Sequence, residues 1–119
     1  MSTFSKSILS GSTDGKGIKV VATATAGTTI HTGSATAATL HEVWLYAVNS
    51  SVTDVKLTIE WGEATAPDGN IEYTVKAENG LYLIVPGLIL KGNATALVVK
   101  AFAGTANVIV IHGYVNVIA

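Results

Sequence analysis

Residues Leu40–Trp61, LHEVWLYAVNSSVTDVKLTIEW, carry the clearest structural pattern in the chain. In the second half of this stretch, Val55, Leu57 and Ile59 alternate with polar residues. Since successive side chains of a strand point to opposite faces, this alternation predicts a strand with one buried face. The polar residues at 49–54 are of types that hydrogen-bond to their own backbone, so we expect them to form the turn of a hairpin.

The first half of the same stretch is apolar on both sides of the predicted strand. Val43, Leu45 and Ala47 point to one face. The other face carries three residues that we predict to form an intersubunit or binding surface: Trp44, Tyr46 and Val48. A strand that is apolar on both faces needs cover on both. We therefore expect the core of a sandwich on one side, and a neighbouring strand, a loop or another subunit on the other.

The rest of the chain continues as short apolar segments divided by turn signals. Asn79-Gly80 is the dipeptide that tight hairpins prefer, and Pro67–Gly69 and Gly92-Asn93 are further turn signals. We count eight to ten short strands and no convincing helix. This pattern predicts an all-β protein, an antiparallel β-sandwich, and we favour a jelly-roll-like arrangement of its strands.

The N-terminal residues differ from the rest, because they are polar and rich in Ser and Gly. We expect residues 1–17 to form a flexible N-terminal arm and residues 18–119 to form a single β-sandwich domain, since 119 residues suffice for one domain. The arm contains one apolar group, Phe4, Ile8 and Leu9. We predict that these three residues contact a partner.

The charge content excludes some classes of partner. The chain has seven lysines, no arginine and eight carboxylates, for a net charge of −1. Nucleic-acid-binding proteins usually present a basic patch and use arginine for bidentate contacts, so we expect no nucleic acid partner. The longest apolar run, at 81–90, has ten residues and is interrupted by Pro86. A run of this length is too short to cross a bilayer. We expect no membrane partner.

The low charge has two interpretations. Charged residues make up 13% of the chain, against about 25% in an average soluble domain. Thr, Ser and Asn could supply a neutral polar surface. Alternatively, part of the surface is an intersubunit contact, because charge is depleted at the centre of interfaces. We favour the second interpretation, because several predicted strands are apolar on both faces.

No constellation of residues indicates catalysis. The chain has no cysteine, and His31, His41 and His112 do not stand at metal-ligand spacing on one strand. Glu60 and Glu63 are close in sequence, but we expect Glu60 to lie on a solvated strand face. We therefore predict no catalytic residues, no metal, no cofactor and no enzymatic activity.

The chain resembles a class of viral proteins. The segments HEVWLYAVNSSVTDVKLTIEWGEATAPDGNIEYTV (41–75) and GLYLIVPGLILKG (80–92) are similar to segments of small virion structural proteins of tailed bacteriophages, many of which are capsid decoration (cement) proteins. The resemblance implies a β-sandwich, commonly a homotrimer, that sits on the capsid exterior of the virion and clamps neighbouring subunits of the major capsid protein. The alternative is a phage fibre, receptor-binding or carbohydrate-binding module that uses exposed aromatic residues such as Trp44 and Tyr46.

Overall fold

The protein is all-β, as predicted. A computed structural model describes residues 3–119, in which nine strands are joined by loops and turns. The number of strands lies within the predicted range of eight to ten. The strands are β1 Phe4–Ile8, β2 Ile18–Lys19, β3 Thr28–Thr32, β4 Leu40–Asn49, β5 Val55–Trp61, β6 Asn70–Val75, β7 Tyr82–Lys91, β8 Val98–Ala103 and β9 Ile109–Ile118.

The strands form two antiparallel sheets that pack as a sandwich. In the first sheet the order is β1-β9-β4-β7, and β2 pairs with the same edge of β9 further along. In the second sheet the order is β3-β8-β5-β6. After β2, every connection except the one from β5 to β6 therefore carries the chain from one sheet to the other.

The hairpins predicted from the turn signals are wrong in two places. β4 and β5 lie in different sheets, so residues 49–54 form an arch between sheets rather than a hairpin turn. The same holds for Asn79-Gly80, between β6 and β7. A turn signal specifies that the chain reverses, but the next strand can then pair beside the first or pack opposite it.

The side chain of Asn49 holds the arch between β4 and β5. Its Nδ2 donates to the carbonyl oxygens of Thr53 and Val75, at 2.9 Å in both cases. Its Oδ1 accepts a hydrogen bond of 2.9 Å from the amide of Ser51. Because Asn49 is buried, these bonds replace the water that its amide and the two carbonyl groups would otherwise bind.

The core lies between the two sheets and confirms the predicted buried faces. Val43, Leu45 and Ala47 of β4 are fully buried, and so are Leu57 and Ile59 of the opposing β5. Each side chain of this kind stabilises the fold by roughly 1.5–3 kcal/mol when it leaves water. β4 is central in the first sheet and β5 is central in the second, so the predicted stretch does supply the middle of both layers.

The predicted boundary after residue 17 does not describe the structure. β1 pairs with β9 from Phe4 opposite Ile118 to Ile8 opposite Tyr114, so it is an edge strand of the first sheet and not a separate arm. Leu9, which follows β1, is only 1% exposed. Since Leu9 completes the core, residues 4–9 belong to the domain. Residues 1 and 2 of the predicted arm lie outside the described residues.

Candidate functional site

The outer face of the first sheet is the side that points away from the core, and large apolar and aromatic residues line it from edge to edge. Directly paired residues of antiparallel strands point to the same side, so the pairs of Tyr114 with Ile8 and with Trp44 lie on this face. The pair of Tyr46 with Leu83 extends it to β7. We call the following residues the outer apolar face: Phe4, Ile8, Trp44, Tyr46, Leu83, Ile89 and Tyr114.

Two of the three predicted capsid contacts lie at one end of this face. Phe4 is 72% exposed and Ile8 is 50% exposed, both on the edge strand β1. The third, Leu9, was wrongly predicted as an accessible contact, because it is inserted into the core. Period-two alternation explains the difference, since Leu9 follows Ile8 directly and points to the opposite side of the sheet.

The other end of the face is the edge strand β7, which sequence reasoning did not single out. Leu83 and Ile89 are exposed there on the outer side. Leu81, Tyr82 and Leu88 are exposed at the same edge, although Tyr82 and Leu88 pair with the core-facing Ala47 and Val43. The sequence feature that could have indicated this edge is the apolar run at 81–90 with Pro86 inside it. Proline cannot donate a hydrogen bond to a ladder, so within a sheet it marks an edge strand.

The three residues predicted as a binding or intersubunit surface are half-buried on the outer side of β4. Trp44 and Tyr46 belong to the outer apolar face. Val48 lies opposite Val110 of β9, and the loop at Gly17 approaches Val110 so closely that a Cβ on Gly17 would stand 2.3 Å from its Cγ1. The same Cβ would stand 2.8 Å from Cε1 of His112, which pairs with Tyr46. Val48 and Tyr46 therefore both lie beside the part of the face that the chain's own loop approaches.

A row of stacked groups crosses the middle of the outer apolar face. The rings of Trp44 and Tyr114 are nearly parallel, at 11°, with centroids 5.9 Å apart. The Nζ atom of Lys6 lies 4.7 Å from the centroid of the Tyr114 ring, in a cation–π contact. On its other side Trp44 packs on Gly87 of β7, where a Cβ would stand 2.9 Å from Cζ2 of the indole. The row therefore crosses β1, β9, β4 and β7.

Glu42 fixes the position of Trp44 within this row. Its Oε1 accepts hydrogen bonds of 2.8 Å from Nε1 of Trp44 and of 2.8 Å from Nδ2 of Asn116. The bond from Trp44, followed by that from Asn116, lowers the pKa of the Glu42 carboxyl. The carboxylate therefore stays charged at neutral pH, and its hydrogen bond to Nε1 restrains the indole.

Two of the three histidines meet, although they are not at metal-ligand spacing in the sequence. Nε2 of His31, on β3, lies 2.8 Å from Nδ1 of His41, on β4. The amide of Ser10 donates a 3.0 Å hydrogen bond to Nδ1 of His31. Both nitrogens of His31 are thus engaged. His112 pairs instead with Tyr46 on the outer side of the first sheet. Among residues 3–119, no group of three or more potential ligands could hold a metal ion.

Glu60 was wrongly predicted to lie on a solvated face. It is 2% exposed, because residues 25–27 cover it from outside the second sheet. Its carboxylate accepts hydrogen bonds from the Thr25 hydroxyl and, at 2.7 Å, from the Gly27 amide. Glu60 and the exposed Glu63 border a surface cavity of about 320 Å³, which Lys100 also lines. Since the Glu60 carboxylate is already engaged by the chain's own donors, this cavity contains no paired free carboxylates.

Comparison with known proteins finds no matching family, curated protein or solved structure. Within residues 3–119 there is no helix long and apolar enough to pass through a membrane.

Proposed function

We propose that this chain is a non-enzymatic structural protein that binds other protein subunits, and specifically that it is a decoration protein on the exterior of a tailed-bacteriophage capsid. The observation that carries the proposal is the concentration of exposed apolar residues on one sheet. Of nine large apolar residues that are exposed in the described chain, seven lie on β1 or on β7 and the residue before it. Exposed apolar patches of this kind mark interaction sites in soluble proteins.

Both edge strands of the first sheet also have an unpaired side. Among the described strands, β1 pairs only with β9, and β7 pairs only with β4. An unpaired apolar edge is a template for association with another chain. On β7, however, Pro86 and two shifts of register against β4 interrupt the edge. We therefore propose that partners pack against the side chains of the outer apolar face rather than extend the sheet with a continuous strand.

The strand order supports the finer proposal of a jelly roll. Strands 1, 9, 4 and 7 in one sheet and 3, 8, 5 and 6 in the other form two antiparallel layers whose connections alternate between them. Jelly rolls of this kind recur in viral capsid domains. Together with the resemblance of residues 41–75 and 80–92 to phage virion proteins, this order favours a place in the virion.

The proposed assembly is a homotrimer that binds the major capsid protein. Phe4 and Ile8 are the proposed capsid contacts, and the part of the face around Trp44, Tyr46 and Leu83 is the proposed contact between subunits. A trimer presents three copies of one capsid contact, so modest individual contacts add up to firm attachment through effective concentration. The low charge of the chain is consistent with this use of its surface.

The carbohydrate-binding alternative receives less support from the geometry. A sugar ring binds by stacking on an open aromatic face. The Tyr114 ring already stacks with Trp44 and contacts Lys6, and Trp44 also packs on Gly87. If the alternative is correct, sugars will quench the tryptophan fluorescence of the purified protein.

The first test is the mass of the purified protein in solution, measured by size exclusion with light scattering. We expect about 37 kDa, three times the chain mass of 12.2 kDa. Leu83→Lys should lower this mass, because it places a charge in the proposed contact between subunits. Val52→Lys is the control, since Val52 is also an exposed aliphatic residue, at 83% against 38% for Leu83, but lies in the arch between β4 and β5. A monomer at micromolar concentration contradicts the trimer.

The second test is co-sedimentation with expanded heads assembled from the major capsid protein encoded in the same genome. We expect the chain to sediment with the heads, and we expect Phe4→Lys to weaken binding while Val52→Lys does not. Absence of binding by the unmodified chain, or a genome that encodes no major capsid protein, overturns the assignment to a capsid.

A further inference from the structure

The pair of buried His31 and half-buried His41 lies where three parts of the chain meet. His31 belongs to β3 of the second sheet, and His41 belongs to β4 of the first. Ser10, whose amide bonds to His31, belongs to the segment that follows β1. His31 is only 4% exposed, and its ring centroid is 5.0 Å from that of His41. The pair therefore links both layers of the sandwich to the N-terminal segment.

The hydrogen bonds determine where the protons lie. A backbone amide can only donate, so Nδ1 of His31 must carry a lone pair. The single proton of a neutral His31 then lies on Nε2, which donates to Nδ1 of His41. A neutral His41 keeps its own proton on Nε2. The chain of donors from Ser10 through His31 to His41 is thus complete when both rings are neutral.

An additional proton cannot be accommodated in this chain of donors. If it binds Nδ1 of His31, two donors face each other at Ser10. If it binds Nδ1 of His41, that N–H faces the N–H on Nε2 of His31. If the His31 proton then moves from Nε2 to Nδ1, it faces the Ser10 amide instead. Every position therefore breaks one of the two hydrogen bonds, and it also places a positive charge among buried groups.

The surroundings offer no compensating charge. The strand residues paired directly with the two histidines are Val99 of β8, Leu90 of β7 and Val117 of β9, all apolar. Residues 9–12 contribute amide and hydroxyl groups but no charge. Burial, followed by the charge of His41, lowers the pKa of His31, and burial lowers the pKa of His41. The histidines are thus each other's nearest titratable groups.

The segment that the pair holds has further contacts with β3. The Ser10 hydroxyl accepts a 2.6 Å hydrogen bond from the amide of Thr32, and the Gly11 amide donates a 2.9 Å bond to the carbonyl of Ile30. A Cβ on Gly11 would stand 2.6 Å from that carbonyl oxygen, so the close approach requires glycine. Leu9 enters the core immediately before these contacts.

We propose that the histidine pair, with the Ser10 amide, is an acid-sensitive clasp that fixes the N-terminal segment to β3. Above the pKa of a free histidine the clasp is closed. When the pair takes up a proton, the Ser10–His31 or the His31–His41 hydrogen bond is lost, and residues 9–12 detach from β3 before the rest of the sandwich opens.

Hydrogen exchange with mass spectrometry on the full-length protein tests the order of opening. Amide protection is compared at pH 7 and pH 4.5, after correction for the intrinsic effect of pH on exchange. We expect the peptide that covers residues 4–12 to lose protection at least tenfold, while the peptides of β5 and β6 change less than twofold. An equal loss in all peptides, or no loss at residues 4–12, overturns the proposal.

A double variant without titratable rings provides the control. In His31→Phe/His41→Leu the N-terminal segment should be less protected at pH 7, but its protection should no longer change between pH 7 and pH 4.5. His112→Asn, on the outer side of the first sheet, should retain the pH dependence of the unmodified protein. A double variant that retains that pH dependence contradicts the clasp.

Nuclear magnetic resonance of the unmodified protein tests the same proposal even if the double variant does not fold. At pH 7 the ring nitrogen shifts of His31 should show a proton on Nε2 and none on Nδ1. Titration of His31 should coincide with the loss of protection at residues 9–12. A His31 ring that titrates near pH 6.5, with the Ser10 amide still protected, refutes the clasp.

Discussion

Leu9→Ala is the substitution that best separates a free N-terminal arm from an integrated edge strand. Leu9 is 1% exposed and packs in the core, whereas its neighbour Ile8 is 50% exposed. The two residues are adjacent, aliphatic and of similar size, so Ile8→Ala is a matched control. An arm that merely docks on a partner would tolerate both substitutions equally.

The expected loss for Leu9→Ala follows from the groups that leave the core. Truncation removes about three methyl or methylene groups, at roughly 0.8 kcal/mol each, for a transfer cost of about 2.4 kcal/mol. The cavity left behind adds to this cost, so the total reduction in the free energy of unfolding should be about 2–5 kcal/mol. Ile8→Ala should change it by less than about 1 kcal/mol, because half of that side chain is already in water.

The assay is urea unfolding at pH 7, followed by tryptophan fluorescence, with the midpoint and the slope determined for each variant. A reduction for Leu9→Ala below about 1 kcal/mol, or one equal to that of Ile8→Ala, refutes the integration of this segment into the core. Deletion of residues 1–12 is a stronger form of the same perturbation. Because it removes β1 and Leu9 together, we expect it to destabilise the fold and not only to abolish partner binding.

Three further predictions concern other parts of the sandwich. Gly87→Ala should reduce the free energy of unfolding by about 1–3 kcal/mol more than Gly80→Ala does, because both glycines have positive φ but only Gly87 packs on an indole ring. Urea unfolding compares the two variants, and equal losses contradict the packing. Glu60→Gln should cost about 1–3 kcal/mol in the same assay, because it weakens a buried acceptor with two donors, and the exposed Glu63→Gln should cost almost nothing. The pKa of His31 is lowered to about 4, so between pH 6.5 and 4 the unfolded chain binds more protons than the folded chain. The free energy of unfolding should therefore fall by about 3 kcal/mol as the pH decreases through that window. A free energy that does not change down to pH 4.5 contradicts this prediction.

The outer apolar face and the histidine clasp lie on opposite sides of the first sheet. Phe4 and Ile8 of β1 point outward, whereas Leu9 and Ser10 connect to the core and to β3. Release of residues 9–12 would nevertheless free the end of β1. Binding of β1 to a partner and the state of the clasp are therefore expected to influence each other, and co-sedimentation at pH 7 and pH 4.5 measures this.

Local pattern was sufficient to place most strands and to assign their buried faces. The alternation in β5 correctly put Leu57 and Ile59 into the core, and the two apolar faces of β4 correctly separated Leu45 from Trp44. Alternation has this power because the side-chain period of a strand is fixed at two by backbone geometry. It also made the all-β class predictable before any tertiary contact was known.

The candidate site was predictable only in part. Phe4, Ile8, Trp44 and Tyr46 were selected from their local pattern, and the structure places them all on the outer apolar face. The contribution of β7 was missed, because a continuous apolar run is as typical of a strand buried between two layers as of an exposed edge strand. Only the position of β7 at the edge of the sheet shows that this strand is exposed.

By itself the sequence determined the class of fold, the positions of β4 and β5 and the side of each of them that faces the core, because those properties depend on neighbouring residues. Tertiary structure alone decided that β4 and β5 lie in opposite sheets, that Leu9 completes the core and that Glu60 is covered. It also brought His31 to His41 and Ser10. The physical reason is that pairing and cover depend on contacts between distant segments, and these follow from how the sheets assemble rather than from the period of any one strand.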